Sequence, residues 1–371
     1  MALDPQHHQR SIGECFPLSY GEARKKFISA LNGCGWSLAS HPIAVKSPGG
    51  DTLTIDVGTS PSHSTKTLLL SSGLHGVEGY FGSAIQVTIL QAIASGEMQI
   101  PADCRIVMTH ALNPFGFACD RRANENNIDL NRNFLLSDAQ YAGSPPGYGS
   151  LDPVINPVTP TGVDFFKLRF IWKIVTVGMP KLKAAIATGQ YDFPKGLFFG
   201  GKSASETFEI VRRELPGWIP KDSRAAIALD FHSGLGGFGE HVLLTTKSEE
   251  SIKSDPLAQA FDQSKVSCLD SSKVAFPARG VMTEWITHHQ AAQRFLAFGV
   301  EFGTYSPLRV LSALRGENRS HFFDDHGSAT YRASKAEMRE VFCPTDVGWR
   351  TKVISESCAL VRRALEVLSA S

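Results

Sequence analysis

The 371-residue chain lacks the features that mark several large classes of protein. No uninterrupted apolar run approaches the roughly 18 residues of a membrane-spanning helix. The seven cysteines, Cys15, Cys34, Cys104, Cys119, Cys268, Cys343 and Cys358, stand singly and form no CxxC pair. An odd, scattered set argues against a disulfide framework or a cysteine-zinc site and fits a reducing compartment. The formal net charge is only +1, so the balance of charge points to neither nucleic acid nor an anionic membrane as partner. There is no GxSxG elbow of a serine hydrolase, no GxxxxGK(S/T) loop of an NTPase, no internal repeat and no low-complexity tract. The opening MALDPQHHQRSIGECF has no apolar core of a secretory signal, so the expected location is the cytoplasm, and His7 and His8 read as a disordered terminus.

What is present is an ordinary globular composition, 42% apolar and 20% charged, enough for a sizeable core. Apolar spacing and a glycine stop predict a helix from Tyr20 to Leu31. Strands are expected at 51–57, 65–72, 104–112, 225–231, 240–246 and 295–305, the last a central one. Helices are expected at 82–94, 164–187, 204–215 and 350–368, and an irregular Gly/Pro-rich loop at 142–160. Strands alternating with helices imply an α/β fold, a three-layer α/β/α sandwich around a central mixed sheet. The preferred partition is one catalytic domain over 1–371 with an insertion at about 141–222.

Four stretches carry chemistry. In SSGLHGVEGYFGS, His75 and Glu78 stand at the end of an apolar strand, where α/β sheets place ligand-binding groups. A neutral imidazole and a carboxylate suit zinc, and the flanking Gly76 and Gly79 allow the sharp turn that aims both at one point. NPFGFACDRRANENNIDLNRNF packs Arg121, Arg122, Asp129, Asn131 and Arg132 together; arginine forks bind carboxylates, and a buried Asp can hold a ligand histidine by its second nitrogen. In DFHSGLGG, His232 ends another strand and completes a His/Glu/His set with room for a water, as in catalytic zinc sites. Glu301, a carboxylate in the apolar strand FGVEFGTY, suits a general base.

The order HxxE, NPxG, arginine, DLNRNF, strand-ending HSG and late strand Glu resembles the M14 zinc carboxypeptidase superfamily. More narrowly, LTIDVG followed by SSGLHGVEGYFGSAIQ is similar to the DUF2817 family, related to the aspartoacylase and succinylglutamate desuccinylase branch, over residues 20–330. The resemblance implies one Zn2+ per chain on His75, Glu78 and His232, with Asp129 orienting the first histidine. It implies that Asn131 and Arg132 grip the substrate's terminal carboxylate, that Arg122, with Arg121 a near rival, polarises the scissile carbonyl, and that Glu301 is the base acting on metal-activated water. The expected reaction is hydrolysis of an amide bond, in a small peptide or an N-acyl amino acid, next to a free carboxylate. Rivals are an N-acyl amino acid deacylase proper and a non-catalytic binding protein that keeps the fold. The family's mobile tyrosine some twenty residues before the base has no counterpart, since no tyrosine lies between Tyr191 and Tyr305; His288 or His289 stands nearer the place.

Two further patterns are set aside. Gly234, Gly236 and Gly239 form a literal GxGxxG, but a strand follows where a dinucleotide site needs a helix, so the reading is a strand-to-strand loop over the metal. HFFDDH offers His321, Asp324, Asp325 and His326, but in a polar stretch without a flanking strand, and reads as a solvated loop or a rim of the site.

Overall fold

A computed structural model describes residues 13–62, 64–136, 140–268 and 278–371, so His7 and His8 lie outside the described residues. Eight strands among them form one mixed sheet: β1 (Ser37–Lys46), β2 (Thr52–Thr59), β3 (Lys66–Ser72), β4 (Cys104–His110), β5 (Ala225–Phe238), β6 (His241–Thr245), β7 (Val266–Cys268) and β8 (Arg294–Gly303). Their spatial order is β1-β2-β4-β3-β5-β8-β6-β7. The middle four, β4, β3, β5 and β8, run parallel, while β1, β2 and β6 pair antiparallel to their inner neighbours. Every residue of β3 is buried, as a parallel strand covered on both faces requires, which is why TLLL reads as an apolar run without alternation.

The main helices are α1 (Tyr20–Gly33), α2 (Gly79–Ala94), α3 (Tyr148–Ile155), α4 (Phe166–Val177), α5 (Met179–Ala187), α6 (Glu206–Trp218), α7 (Met282–His289), α8 (Pro307–Phe323), α9 (Ala329–Phe342) and α10 (Val347–Ser369). The α/β sandwich around a mixed sheet is thus the observed architecture. Helix α2 is buried almost all round, between α1, α10 and β3. On α6 and α7, Phe208 and Trp285 meet Phe134 at ring distances of 5.2 and 5.9 Å. No helix among the described residues is long and apolar enough to cross a membrane.

Several elements differ from the sequence reading. The expected loop at 142–160 contains α3, whose Tyr148, Leu151, Val154 and Ile155 are buried; its Gly147 and Pro153 hide an apolar face. The expected helix 164–187 is two, α4 and α5, broken at Gly178 with φ +89°. HFFDDH is no solvated loop at its start: it is the end of α8, where Arg315, Glu317, Asn318 and Arg319 are buried by charge pairing. Glu317 accepts from Arg121 Nε at 2.9 Å and also pairs with Lys335, while Arg315 and Arg319 donate to Asp164 at 2.6 and 2.7 Å. The edge strand β1 is largely exposed and holds Pro42, which only an edge tolerates.

The chain places β5 and β4 on opposite sides of β3, so the crevice beyond the carboxyl ends of β3 and β5 is a topological switch point, the place where α/β sheets bind ligands. His75 follows β3, His232 lies on β5, and Glu301 of β8 stands opposite His232 in register.

Candidate metal centre

The turn after β3 is built on backbone proximity. A Cβ on Gly76 would lie 2.1 Å from the Gly116 carbonyl carbon, so no other residue fits. Gly76 and Val77 donate their N–H groups to the carbonyls of Arg122 and Arg121, at 3.1 and 2.8 Å. The HGVE turn and the arginine loop therefore form one unit. A short 3-10 turn, Gly76–Glu78, then points Glu78 back toward His75.

His75, Glu78 and His232 are all buried, and one ligand atom from each lies within 4.8 Å of the others. His75 Nδ1 is 2.9 Å from Glu78 Oε1, His232 Nδ1 is 3.0 Å from Glu78 Oε2, and the two Nδ1 atoms are 3.2 Å apart. The other nitrogen of each ring faces a carboxylate: His75 Nε2 lies 3.1 Å from Asp129 Oδ1 and His232 Nε2 lies 2.6 Å from Asp230 Oδ2. An ionised carboxylate only accepts, so each Nε2 carries the proton. With both rings neutral, the Nδ1 lone pairs and the Glu78 carboxylate then converge as acceptors. Only a cation, or extra protons, makes that arrangement stable, and imidazole with carboxylate is a donor set that suits zinc. The Asp–His pairs fix each ring's tautomer and raise its basicity toward a metal.

Charge gives the same answer. Around the cluster, Glu78, Asp129, Asp230 and Glu301 face Arg122 and Arg132; with both imidazoles neutral, as metal ligands must be, four carboxylates against two guanidiniums leave −2, which one divalent cation would balance. Burial works to raise the Glu78 carboxyl, but the neighbouring His75 and His232 outweigh it and hold it at about 2. Burial likewise opposes the charged forms of Asp129 and His232; Arg122 and His75 nonetheless drive Asp129 well below the usual range, and Asp230 and Glu78 drive His232 well above it.

Arg122 donates from Nε to Asp129 Oδ2 at 3.0 Å and from Nη1 to Glu78 Oε1 at 3.4 Å. Arg121 turns the other way, fully buried against Glu317, Asn127 and Asn318, so of the two rivals Arg122 is the one at the cluster. Asp129 holds His75, Arg122 and the backbone N–H of Asn131 at once. Glu301 is half-buried and its Oε1 accepts from Leu235 N at 2.9 Å, so the glycine-rich end of β5 fixes the carboxylate. Burial, and then the negative Glu78, raise the Glu301 carboxyl above its ordinary value. The GxGxxG segment is thus not a loop throughout: Gly234 and Gly236 lie in the carboxyl end of β5, where its register against β8 shifts, and only Gly239 lies in the turn to β6.

Arg132 is buried beside Asn131, with Nη1 donating to Asn131 O at 2.6 Å. Asn131 Oδ1 accepts from Met282 N at 3.0 Å and so also caps α7. His288 and His289 end α7 and lead into the amino end of β8, whereas Glu301 lies seven residues further along, roughly 23 Å at strand rise. His289 is stacked on Trp285 at 4.2 Å, so neither histidine takes the tyrosine's place. His321 and His326 stack on each other away from this cluster, which is the single His/Cys/Asp/Glu metal-ligand group found among the described residues. Asp230 and Ser71, whose hydroxyl donates to Asp230 at 2.7 Å, were not singled out in the sequence. The available signal was the i, i+2 spacing of Asp230 and His232, which puts both on one face of β5.

A family model described as "Protein of unknown function (DUF2817)" matches residues 16–356. No curated protein matches the chain. Among solved structures, bovine thrombin-activatable fibrinolysis inhibitor, in complex with a tick carboxypeptidase inhibitor, is 12% identical with a TM-score of 0.52; the match covers 95% of this chain and 97% of that one. Another structure of thrombin-activatable fibrinolysis inhibitor is 11% identical with a TM-score of 0.51, covering 95% of this chain and 75% of that one. The succinylglutamate desuccinylase from Chromobacterium violaceum is 14% identical with a TM-score of 0.40, covering 86% and 74%. At these identities the first two likenesses establish a shared fold.

Proposed function

The chain belongs to the DUF2817 family, and we propose that it is a zinc-dependent hydrolase that cleaves an amide bond next to a free carboxylate in a small peptide or an N-acyl amino acid. The observation that carries the reading is the convergence of His75 Nδ1, His232 Nδ1 and the Glu78 carboxylate on one point, each histidine held by an Asp at its other nitrogen. His75, Glu78 and His232 would hold the ion. When bound, it supplies Lewis-acid polarisation of the carbonyl and lowers the pKa of water from 15.7 toward about 7.

The remaining work belongs to side chains. Glu301 takes a proton and passes it to the leaving nitrogen; its raised pKa brings it nearer the working range of a general acid and base. Arg122 donates to the oxygen that gains charge, a contribution of about 2.7–4 kcal/mol for one such donor. Arg132 and Asn131 bind the substrate carboxylate and so select the bond. The guanidinium of Arg122 lies 5.6 Å from the Phe198 ring, and the 189–200 segment closes over the Arg132 backbone, where Tyr191 donates to Arg132 O at 2.8 Å. These contacts put the insertion beside Arg122 and Arg132, where it would limit the space for substrate and favour an N-acyl amino acid over a long peptide.

Elemental analysis of the purified chain beside His75→Ala tests the proposal. About one zinc per wild-type chain, lost in the variant, supports it. A wild type that binds no divalent metal even when zinc is supplied overturns it. Hydrolysis of N-acyl amino acids against short peptides then separates the two substrate classes.

A further inference from the structure

Helix α4, in the insertion, is apolar on two opposite sides. Phe166, Phe170 and Ile174 recur every four residues and pack onto the core. Leu168, Ile171, Trp172 and Val175 follow the i, i+3, i+4, i+7 pattern of a second stripe, and this one faces outward, with Trp172 67% and Val175 73% exposed. Phe165, 68% exposed, extends the stripe at its start. On the helical wheel, Lys167 and Arg169 lie about 100° to either side of Leu168, so each edge of the stripe carries an exposed cation. From Phe165 to Tyr191 the sequence holds five basic residues and no acidic one. Of the two acids that bound the stretch, Asp164 is paired with Arg315 and Arg319, and Asp192 accepts from Gly143 N and Ser144 Oγ.

We infer that α4 docks the protein onto an anionic lipid surface, with Leu168, Ile171, Trp172 and Val175 entering the apolar boundary and Lys167 and Arg169 lying among the headgroups. An apolar stripe with a wholly basic flank matches that surface in both its properties. A second copy of the chain fits worse: a two-fold contact through this face brings the same cations together with no acid to pair them. The inference is independent of the metal centre.

The intact chain itself supplies the probe. Of its five tryptophans, Trp36, Trp218, Trp285 and Trp349 are buried and Trp172 is exposed, so acrylamide quenching reports mainly on α4. The protein is mixed with phosphatidylcholine vesicles containing either no anionic lipid or about 30 mol % phosphatidylglycerol, followed by flotation and quenching. The expected result is flotation with the anionic vesicles only, weakened by salt, with Trp172 shielded. Lys167→Gln with Arg169→Gln should weaken partition about thirty-fold, from about fivefold per charge. Leu168→Ser with Val175→Ser should abolish shielding while leaving the circular dichroism spectrum unchanged. Three results each overturn the inference: no flotation with anionic vesicles, flotation with Trp172 still fully quenched, or shielding that grows with protein concentration in the absence of lipid, the mark of a second copy.

Discussion

Replacing Asp230 with Asn tests the idea that the metal site is built from outside inward. Asp230 offers no atom to the ion; it holds His232 Nε2, on the far side of the ring, at 2.6 Å and is itself held by Ser71 Oγ at 2.7 Å. The substitution keeps the shape of the side chain and removes its charge. An amide can present NH2 to Nε2, in which case the ring proton moves to Nδ1, the atom that faces Glu78 at 3.0 Å and should bind the ion. Loss of such an outer partner typically weakens metal binding 10–100-fold, about 1.4–2.8 kcal/mol. Competition against a chromophoric zinc chelator measures this directly, with Ser71→Ala as the milder companion because it leaves the carboxylate in place. Asp230→Asn with wild-type zinc affinity would refute the reasoning, since the tautomer argument would then have no energetic weight. A variant that also loses its fold, read by circular dichroism, is distinguished by the Ser71→Ala series, which should show the same trend at smaller size.

Other predictions follow from the same geometry. Glu301→Gln should keep its zinc and lose roughly 10²–10⁴-fold in kcat, measured beside metal content; near-normal turnover would exclude it as the base. Arg132→Ala should raise KM for carboxylate-ended substrates far more than for neutral esters, and an equal effect on both would remove its assigned role. Gly76→Ala should lower stability by about 1–3 kcal/mol or more in urea unfolding, because its Cβ would sit 2.1 Å from the Gly116 carbonyl carbon; an unchanged midpoint would show that the turn yields. Burial pushes the His110 imidazole down to about 4, below its ordinary unfolded value near 6.5, so the unfolded chain binds more protons between those values and stability falls as pH drops through that window. That group alone should remove about 2 kcal/mol between pH 7 and pH 5, and His110→Gln should flatten the slope by that amount.

The parts of this protein that are legible in its sequence are those whose cause is local. HGVE works because its glycines let the backbone meet Gly116, and the strand before it is apolar because both its faces are covered. What the sequence leaves open is decided by residues far along the chain. Arg121 and Arg122 are neighbours of one type, and the choice between them rests on Glu317, 196 positions away, which claims Arg121. Helix α8 reads as polar and solvated because its charges are visible in the sequence while Asp164 and Lys335, which bury them, are not. The spacing of His288 and His289 suggests a site role, but α7 runs away from the cluster after Asn131 caps its first turn, and only the direction of the helix shows this. Asp230 is the instructive omission: two residues from a chosen ligand, on the same face of a strand, it needed only the period of β structure to be noticed.

Charge shows why whole-chain quantities mislead about partners. A net charge of +1 predicts neither a strong cation site nor an attraction to acidic surfaces. Yet the chain sorts its charges. Four carboxylates gather at the switch point against two guanidiniums, while the stretch from Phe165 to Tyr191 carries five cations and no acid. At physiological salt, exposed charges further apart than about 8 Å are largely screened from one another, so a ligand at either place meets the local sum and not the total. On the proposed reading the carboxylate cluster takes a divalent cation and the helix an anionic surface, and a near-neutral total reveals neither.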